Sequence, residues 1–124
     1  MSQPSRTLSP ALADEFRERL LAARAELLRT VALTDEELAT LETHQPGAPS
    51  EDVAREEVLA ILSRLDGREK HELDEIYAAY ARLDAGRFGV CQACEDEISL
   101  ARLGAMPTAR YCLACQTARE ARAG

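Results

Sequence analysis

Positions that are mostly apolar recur every three or four residues in two long stretches of the chain. In the first stretch they are Phe16, Leu20, Ala23, Leu27, Val31, Thr34, Leu38 and Leu41, and in the second they are Val58, Leu62, Leu65, Glu69, Leu73, Ile76, Tyr80 and Leu83. This near-heptad spacing is typical of helices that each bury one narrow seam against a partner. The pattern therefore predicts two long amphipathic helices.

Residue types that start and stop helices bound both stretches. Ser9 and Pro10 suit the N-cap and first turn of the first helix. Residues 44–49 include two prolines and a glycine and cannot continue it. Ser50 is a suitable N-cap for the second helix, which Gly86 ends. Two helices of near-equal length joined by a short turn predict an antiparallel coiled coil. About 34 residues at about 1.5 Å each would make it roughly 50 Å long.

Two positions inside the predicted helices bear on their continuity. Thr34 followed by Glu37 is a capping box, which is typical of a helix N-terminus, so the first helix could end and restart there. We expect it to be continuous, because the seam passes through Thr34 without losing phase. Gly67 lies within the second predicted helix, where it should cost about 1 kcal/mol relative to alanine.

Composition and charge narrow the class of protein. Hydrophobic residues make up 46% of the chain and aromatic residues only 4%, with much Ala and Leu, as in helical proteins. No apolar run approaches a membrane span, and no signal segment is evident, so we expect a cytoplasmic protein without membrane contact. The net charge is −7, which disfavours a function that depends on binding nucleic-acid phosphates. Eight acids and a single Arg55 lie between residues 35 and 57, which predicts an acidic hairpin end.

The four cysteines of the chain form two CxxC pairs, Cys91 with Cys94 and Cys112 with Cys115, and residues 95–111 lie between the pairs. This spacing is typical of a structural zinc site, because two CxxC turns together offer four thiolates in a tetrahedron. Four protein ligands leave no position open for water, so a single structural Zn²⁺ is the expected cofactor. A disulfide framework, a redox dithiol and an Fe–S cluster are less favoured alternatives.

These signals together predict a mainly α protein. An N-terminal tail would occupy residues 1–10, and a long antiparallel coiled-coil hairpin would occupy residues 11–85, with its turn at 44–50. A four-cysteine zinc-finger domain with a short C-terminal helix would follow over residues 86–124.

The residues around the cysteines are more specific than their spacing. The strings are GRFGVCQAC (86–94) and EISLARLGAMPTARYCLACQ (97–116), and the pattern-bearing positions are Gly86, Phe88, Gly89, Cys91, Cys94, Ile98, Arg102, Leu103, Ala105, Pro107, Ala109, Cys112, Cys115 and Gln116. A helical hairpin followed by this pattern resembles the DksA/TraR family of bacterial zinc-finger transcription factors. The resemblance implies a regulator that binds RNA polymerase directly and does not bind DNA. It also implies that the coiled coil enters the secondary channel and that the zinc end docks outside.

The resemblance implies functional residues at the hairpin tip, where the family carries Asp-x-x-Asp-x-Ala. Counted back from the finger, these positions are 48, 51 and 53, or 49, 52 and 54 after a one-residue shift, and the first Asp is missing in both alignments. The expected tip residues facing the polymerase active site are Ala48, Glu51, Asp52, Val53 and Ala54.

The resemblance also implies contacts to the stringent-response alarmone ppGpp. Arg68 matches a basic position of the family and could contact ppGpp or polymerase, whereas Glu75 and Gln116 stand at the other two basic positions. A tetraphosphate would meet a like charge at Glu75, so we predict weak or no dependence on ppGpp. The family usually has glycine at position 95, where a left-handed turn is convenient; Glu95 would adopt that turn only with strain.

Other functions remain open at this point. A zinc-stapled hairpin could instead be an interaction module for another partner, or a redox sensor in which oxidation of the thiols expels zinc. Enzymatic activity is not expected, because His44 and His71 lie far apart with no nucleophile pattern near either. We expect a monomer.

Overall fold

A computed structural model describes residues 8–44 and 52–123, which form six helices. The helices are α1 (Pro10–Val31), α2 (Asp35–Thr43), α3 (Asp52–Leu62), α4 (Gly67–Asp84), α5 (Leu100–Ala105) and α6 (Leu113–Ala123). The described residues contain no strand, only an isolated antiparallel bridge between Val90 and Glu97. The prediction of a mainly α protein with a C-terminal helix is confirmed. Within these ranges no helix is long and apolar enough to cross a bilayer.

The chain divides into two compact units. We call residues 20–77 the helical unit. The finger unit combines residues 8–19 with residues 78–123 and contains the cysteines. The start of α1 agrees with the predicted cap, because the Ser9 hydroxyl accepts a hydrogen bond from the Leu12 N–H at 3.1 Å. The predicted turn at 44–50 lies outside the described residues from position 45 onward.

The first predicted helix is interrupted at Thr34. There Thr34 has extended backbone angles (φ −137°, ψ 160°), and its hydroxyl accepts a hydrogen bond from the Glu37 N–H at 3.0 Å. The Glu37 carboxylate accepts one in return from the Leu33 N–H at 2.9 Å. This is a capping box, which satisfies amide groups that a helix start leaves free. The prediction of a continuous first helix is therefore wrong, and the alternative that the capping box offered is the observed one.

The second predicted helix is also interrupted, between Leu62 and Gly67. The Asp66 carboxylate accepts a hydrogen bond from the Glu69 N–H at 2.8 Å, and the Glu69 carboxylate accepts one from the Asp66 N–H at 3.0 Å. This second reciprocal cap starts α4. Gly67 is thus the first residue of a helix and not an interior one, so the expected interior glycine penalty does not arise.

Because of these breaks, α2 runs back alongside α1. The Arg24 guanidinium of α1 donates hydrogen bonds to the carbonyl oxygens of Leu41 and His44, both at 2.7 Å. A continuous helix would place residue 44 about 30 Å from residue 24. The first and last helices of this unit are antiparallel, as the hairpin prediction requires, because Arg24 contacts Tyr77 at 3.1 Å and Thr30 contacts Glu69 at 3.4 Å. The helical unit is thus an up-and-down four-helix bundle, and the expected long continuous coiled coil is not formed.

One apolar core joins all four helices of the bundle. Its buried members are Leu27, Leu28, Val31, Leu41, Ile61, Leu65 and Leu73, with Ala32, Val58, Leu62 and Tyr77 packed against them. Most of the buried members belong to the predicted seams. Leu28 and Ile61 do not, yet they are 0% and 2% exposed. The bundle therefore buries a second helix face that a simple hairpin would leave in water.

Candidate metal centre

The first CxxC pair lies on a tight turn that follows α4. Gly86 (φ 72°) ends that helix, with the Gly86 N–H bonded to the Leu83 carbonyl at 3.2 Å and the Arg87 N–H to the Arg82 carbonyl at 2.8 Å. This pair of bonds is a Schellman motif, which favours glycine at position 86 because the backbone there is left-handed. The chain is thereby directed into the segment that carries Cys91.

Backbone hydrogen bonds close the loop around the first pair. The Glu95 N–H bonds to the Cys91 carbonyl at 2.9 Å, and the Cys91 N–H bonds to the Asp96 carbonyl at 2.8 Å. Glu95 has φ 65°, the left-handed conformation that an L residue rarely adopts. The left-handed turn that the family resemblance associates with this position is kept, although the glycine that would suit it is absent.

The second CxxC pair lies at the start of α6. Cys112 precedes the first helical residue, Leu113, and Cys115 lies in the first turn. The Gln116 N–H bonds to the Cys112 carbonyl at 2.9 Å. The Gln92 N–H bonds to the Arg110 carbonyl at 2.9 Å and so joins the two CxxC segments.

The four sulfur atoms lie in one cluster. All four are within 4.8 Å of one another, and the Sγ atoms of Cys94 and Cys112 are 3.8 Å apart. A zinc ion with Zn–S bonds of about 2.3 Å requires sulfurs about 3.8 Å apart in a tetrahedron. The donor set and its spacing thus fit Zn²⁺, and the cluster is a zinc site. When bound, the ion would hold these two segments together and would have no catalytic role.

Two thiols of this cluster have strongly shifted pKa values. Burial raises the pKa of Cys91, but hydrogen bonds to its sulfur from the backbone of Cys94, Cys112 and Ala93 outweigh that effect and lower the pKa to about 6. Hydrogen bonding from Cys112, Cys94 and Cys91 raises the pKa of Cys115 to about 12. Four thiolates this close repel one another, so a metal ion has to displace the remaining protons.

A small apolar core supports the centre. Ile98 and Leu103 are fully buried, and the rings of Phe16 and Phe88 lie 5.0 Å apart at the centroids. Helix α5 is capped by the Ser99 hydroxyl, which accepts a hydrogen bond from the Arg102 N–H at 3.1 Å. The family-pattern positions Phe88, Ile98, Leu103 and Ala109 are all buried in this unit.

The structure describes the other predicted site residues only in part. Ala48 and Glu51 lie outside the described residues, and Asp52, Val53 and Ala54 form the start of α3, where only the backbone is described. Arg68 is exposed, in the first turn of α4. The roles of these residues stay predictions.

Sequence reasoning missed a buried arginine and an ion pair that hold the bundle. Arg24 is 3% exposed, and Arg64 forms two hydrogen bonds with the Glu37 carboxylate, at 2.7 and 2.8 Å. The capping box at Thr34 was the signal that could have indicated the helix break. Nothing in the helical periodicity indicated that Arg24 is buried, because an arginine beside a seam usually reaches solvent.

Comparison with known proteins identifies the family. Residues 86–121 match the family described as the prokaryotic dksA/traR C4-type zinc finger. The RNA polymerase-binding transcription factor DksA of Haemophilus influenzae is 36% identical over 97 residues, which are 78% of this chain and 63% of that protein. The factor of the same name from Escherichia coli is 32% identical over 99 residues, 80% of this chain and 62% of that protein. The alignments thus span less than two thirds of these curated relatives.

A solved structure extends the comparison over both units. Transcription factor DksA2 from Pseudomonas aeruginosa matches with a TM-score of 0.62 and 32% identity, covering 97% of this chain and 92% of that chain. A helical region followed in sequence by a zinc finger with four cysteine ligands defines a class of bacterial transcription factor. This chain belongs to the DksA/TraR family.

Proposed function

We propose that this protein regulates transcription by binding RNA polymerase directly, without binding DNA. The observation that carries the proposal is the similarity to two RNA polymerase-binding factors, at 32% and 36% identity over 99 and 97 residues. The finger alone accounts for residues 86–121. The alignment therefore extends well into the helical region, so the chain shares more with these factors than a common metal-binding motif.

Charge and exposed surface support a protein partner over a nucleic acid. The net charge of −7 would repel a phosphate backbone. In the finger unit Leu100, Met106 and Leu113 are 46%, 51% and 66% exposed. Large exposed apolar side chains are typical of protein–protein contact surfaces. In this proposal, these three residues take part in docking on the outside of the polymerase.

The finer mechanism follows the family. The helical region would enter the secondary channel, so that the segment with Ala48, Glu51, Asp52, Val53 and Ala54 approaches the active site. Only one carboxylate of the family's tip motif is retained, as Glu51 or Asp52. Arg68 would contact polymerase or ppGpp from the surface of α4. Dependence on ppGpp would be weak, because Glu75 and Gln116 replace basic residues.

Binding to purified core RNA polymerase tests the proposal most directly. We expect a stable complex that a known channel-binding factor displaces competitively. Binding that such a factor does not displace would refute the channel mechanism. The absence of any complex would instead identify the chain as an interaction module for another partner.

Transcription in vitro then tests the tip. The double variant Glu51→Ala/Asp52→Ala should lose most of its effect on open promoter complexes while still binding polymerase. The matched control is Glu56→Ala/Glu57→Ala, which removes the same charge from two exposed positions farther along α3. Equal loss of activity in both variants would show that general acidity, and not the tip, matters.

A further inference from the structure

The helical unit has a sequence that suits two different arrangements of its helices. In the structure, both arms of the predicted hairpin are broken and folded into a bundle. The seam, however, keeps its spacing of three and four residues through both breaks, from Val31 through Thr34 to Leu38 and from Leu62 through Leu65 to Glu69. A helix break in a structural bundle has no need to preserve this phase. The preserved phase indicates that each arm can also form one continuous helix.

Arg24 stabilises the folded-back arrangement. Its side chain is buried and donates hydrogen bonds to the last carbonyls of α2, those of Leu41 and His44. These carbonyls lie at the C-terminal end of α2, where a cation meets the negative end of the helix dipole. Arg24 can reach them only when α2 lies against α1, so the contact exists in the bundle alone.

Arg64 links the two breaks to each other. Its guanidinium, in the segment between α3 and α4, binds both oxygens of Glu37 and donates to the carbonyl of Val31 at 3.3 Å. Glu37 belongs to the cap of α2, and Val31 is the last residue of α1. One side chain thus holds both interruptions in register.

Burial adds to the preference for the bundle. Leu28 and Ile61 lie off the seams and are almost fully buried here, whereas a two-helix arrangement would expose them. The bundle is therefore the favoured form of the free protein. A partner can reverse that preference only if it binds the extended form more tightly.

We propose that residues 20–77 are a conformational switch, a closed bundle in the free protein and a pair of continuous helices when bound to RNA polymerase. The identity of the partner rests on the proposed function. Opening would carry residue 44, which lies beside Arg24 in the bundle, to about 30 Å from it along the helix axis. The closed form would keep α2 folded against α1 until the polymerase stabilises the extended form.

A distance measurement distinguishes the two forms. Spin labels at Ala22 and Glu42, both exposed, should lie about 10–15 Å apart in the bundle, where helices pack about 8–10 Å apart. In a continuous helix the same two positions are about 30 Å apart. Labels on genetically encoded ketone side chains leave the cysteine ligands untouched. We expect the short distance in the free protein and the long distance with core polymerase.

Two substitutions should make opening easier. Thr34→Leu removes a helix cap and fills the seam, and Gly67→Ala favours a continuous second helix; an added Cβ at Gly67 meets nothing within 4 Å. Each change should shift the ratio of the two forms about fivefold. The double variant should then bind polymerase up to about 25-fold more tightly, because less of the binding free energy is used for opening. Thr34→Ser keeps the cap and is the matched control.

The outcomes separate this inference from the proposed function. If polymerase binds and the labels keep the short distance of the bundle, or the double variant binds no more tightly than the control, the switch is refuted and the function stands. If polymerase does not bind, the function is refuted. In that case the switch is tested without polymerase, on the triple variant that adds Arg24→Ala to Thr34→Leu and Gly67→Ala. The switch is supported if this variant keeps its helical circular dichroism and its spin labels show the long distance of a continuous helix. A short distance between the labels, or a loss of helicity, overturns the switch.

Discussion

Glu95 makes the finger less stable than it would be with glycine at this position. It is the non-glycine residue with positive φ among those that the structure describes, at 65°. For an L residue this conformation costs about 1–2 kcal/mol. Glycine would remove that strain, although its greater freedom in the unfolded chain would offset about 0.4–1 kcal/mol. Glu95→Gly should therefore stabilise the finger by about 0.5–1 kcal/mol, which corresponds to about two- to fivefold tighter zinc binding because metal binding and folding are coupled.

Competition with a chromophoric zinc chelator at neutral pH measures this gain. The matched control is Glu95→Ala, which removes the same carboxylate but keeps the Cβ that makes the left-handed conformation unfavourable. We expect Glu95→Ala to bind zinc no more tightly than the natural protein, and Glu95→Asn to lie between alanine and glycine because asparagine tolerates this conformation. Equal zinc affinities for the glycine and alanine variants would show that backbone strain is not the cause.

Three further predictions concern the ion pair, the alarmone and the metal. The Arg64 guanidinium hydrogen-bonded to Glu37 lowers the pKa of that carboxyl from 4.5 to about 2, so the pair stabilises the fold fully above pH 4.5 and loses its effect as the pH falls towards 2. Acid unfolding followed by circular dichroism should therefore be less steep in Glu37→Gln, and an unchanged profile would refute the role of the pair. Glu75→Lys/Gln116→Lys should gain inhibition by ppGpp at a stable-RNA promoter, whereas strong ppGpp synergy in the natural protein would contradict the predicted insensitivity. Cys94→Ser should lower bound zinc from one equivalent towards none, measured by atomic absorption, and the proposed site would be wrong if a full equivalent remained.

The finger was predictable because its constraints are local in sequence. Each CxxC pair forms a short turn, and the fixed geometry of zinc determines how the two turns meet. Gly86 and the family-pattern residues around the cysteines then fixed the surrounding turns and core. At Glu95 it was the family resemblance that indicated the left-handed backbone, because relatives usually carry glycine directly after the first CxxC pair.

The bundle was not predictable from periodicity, because the seam suits a straight helix and a broken one equally well. Local caps mark the two breaks, Thr34 with Glu37 in the first arm and Asp66 with Glu69 in the second. A cap is worth about 1 kcal/mol and cannot by itself determine a fold. The decisive contacts, such as that of Arg24 with the end of α2, are long-range and have no signature in the sequence.

The packing of Phe16 against Phe88 bears on how the protein folds during synthesis. The finger unit joins residues 8–19 to residues 78–123, whereas residues 20–77 form an uninterrupted unit between them. The ribosome releases residues 20–77 before residues 78–123, so the bundle can form while the first turns of α1 still lack their partners. Phe16 can pack against Phe88 only after Phe88 has been synthesised, and Cys115 is the last metal ligand to emerge from the ribosome. Zinc capture is therefore expected to be a late step, in a chain whose centre is already folded.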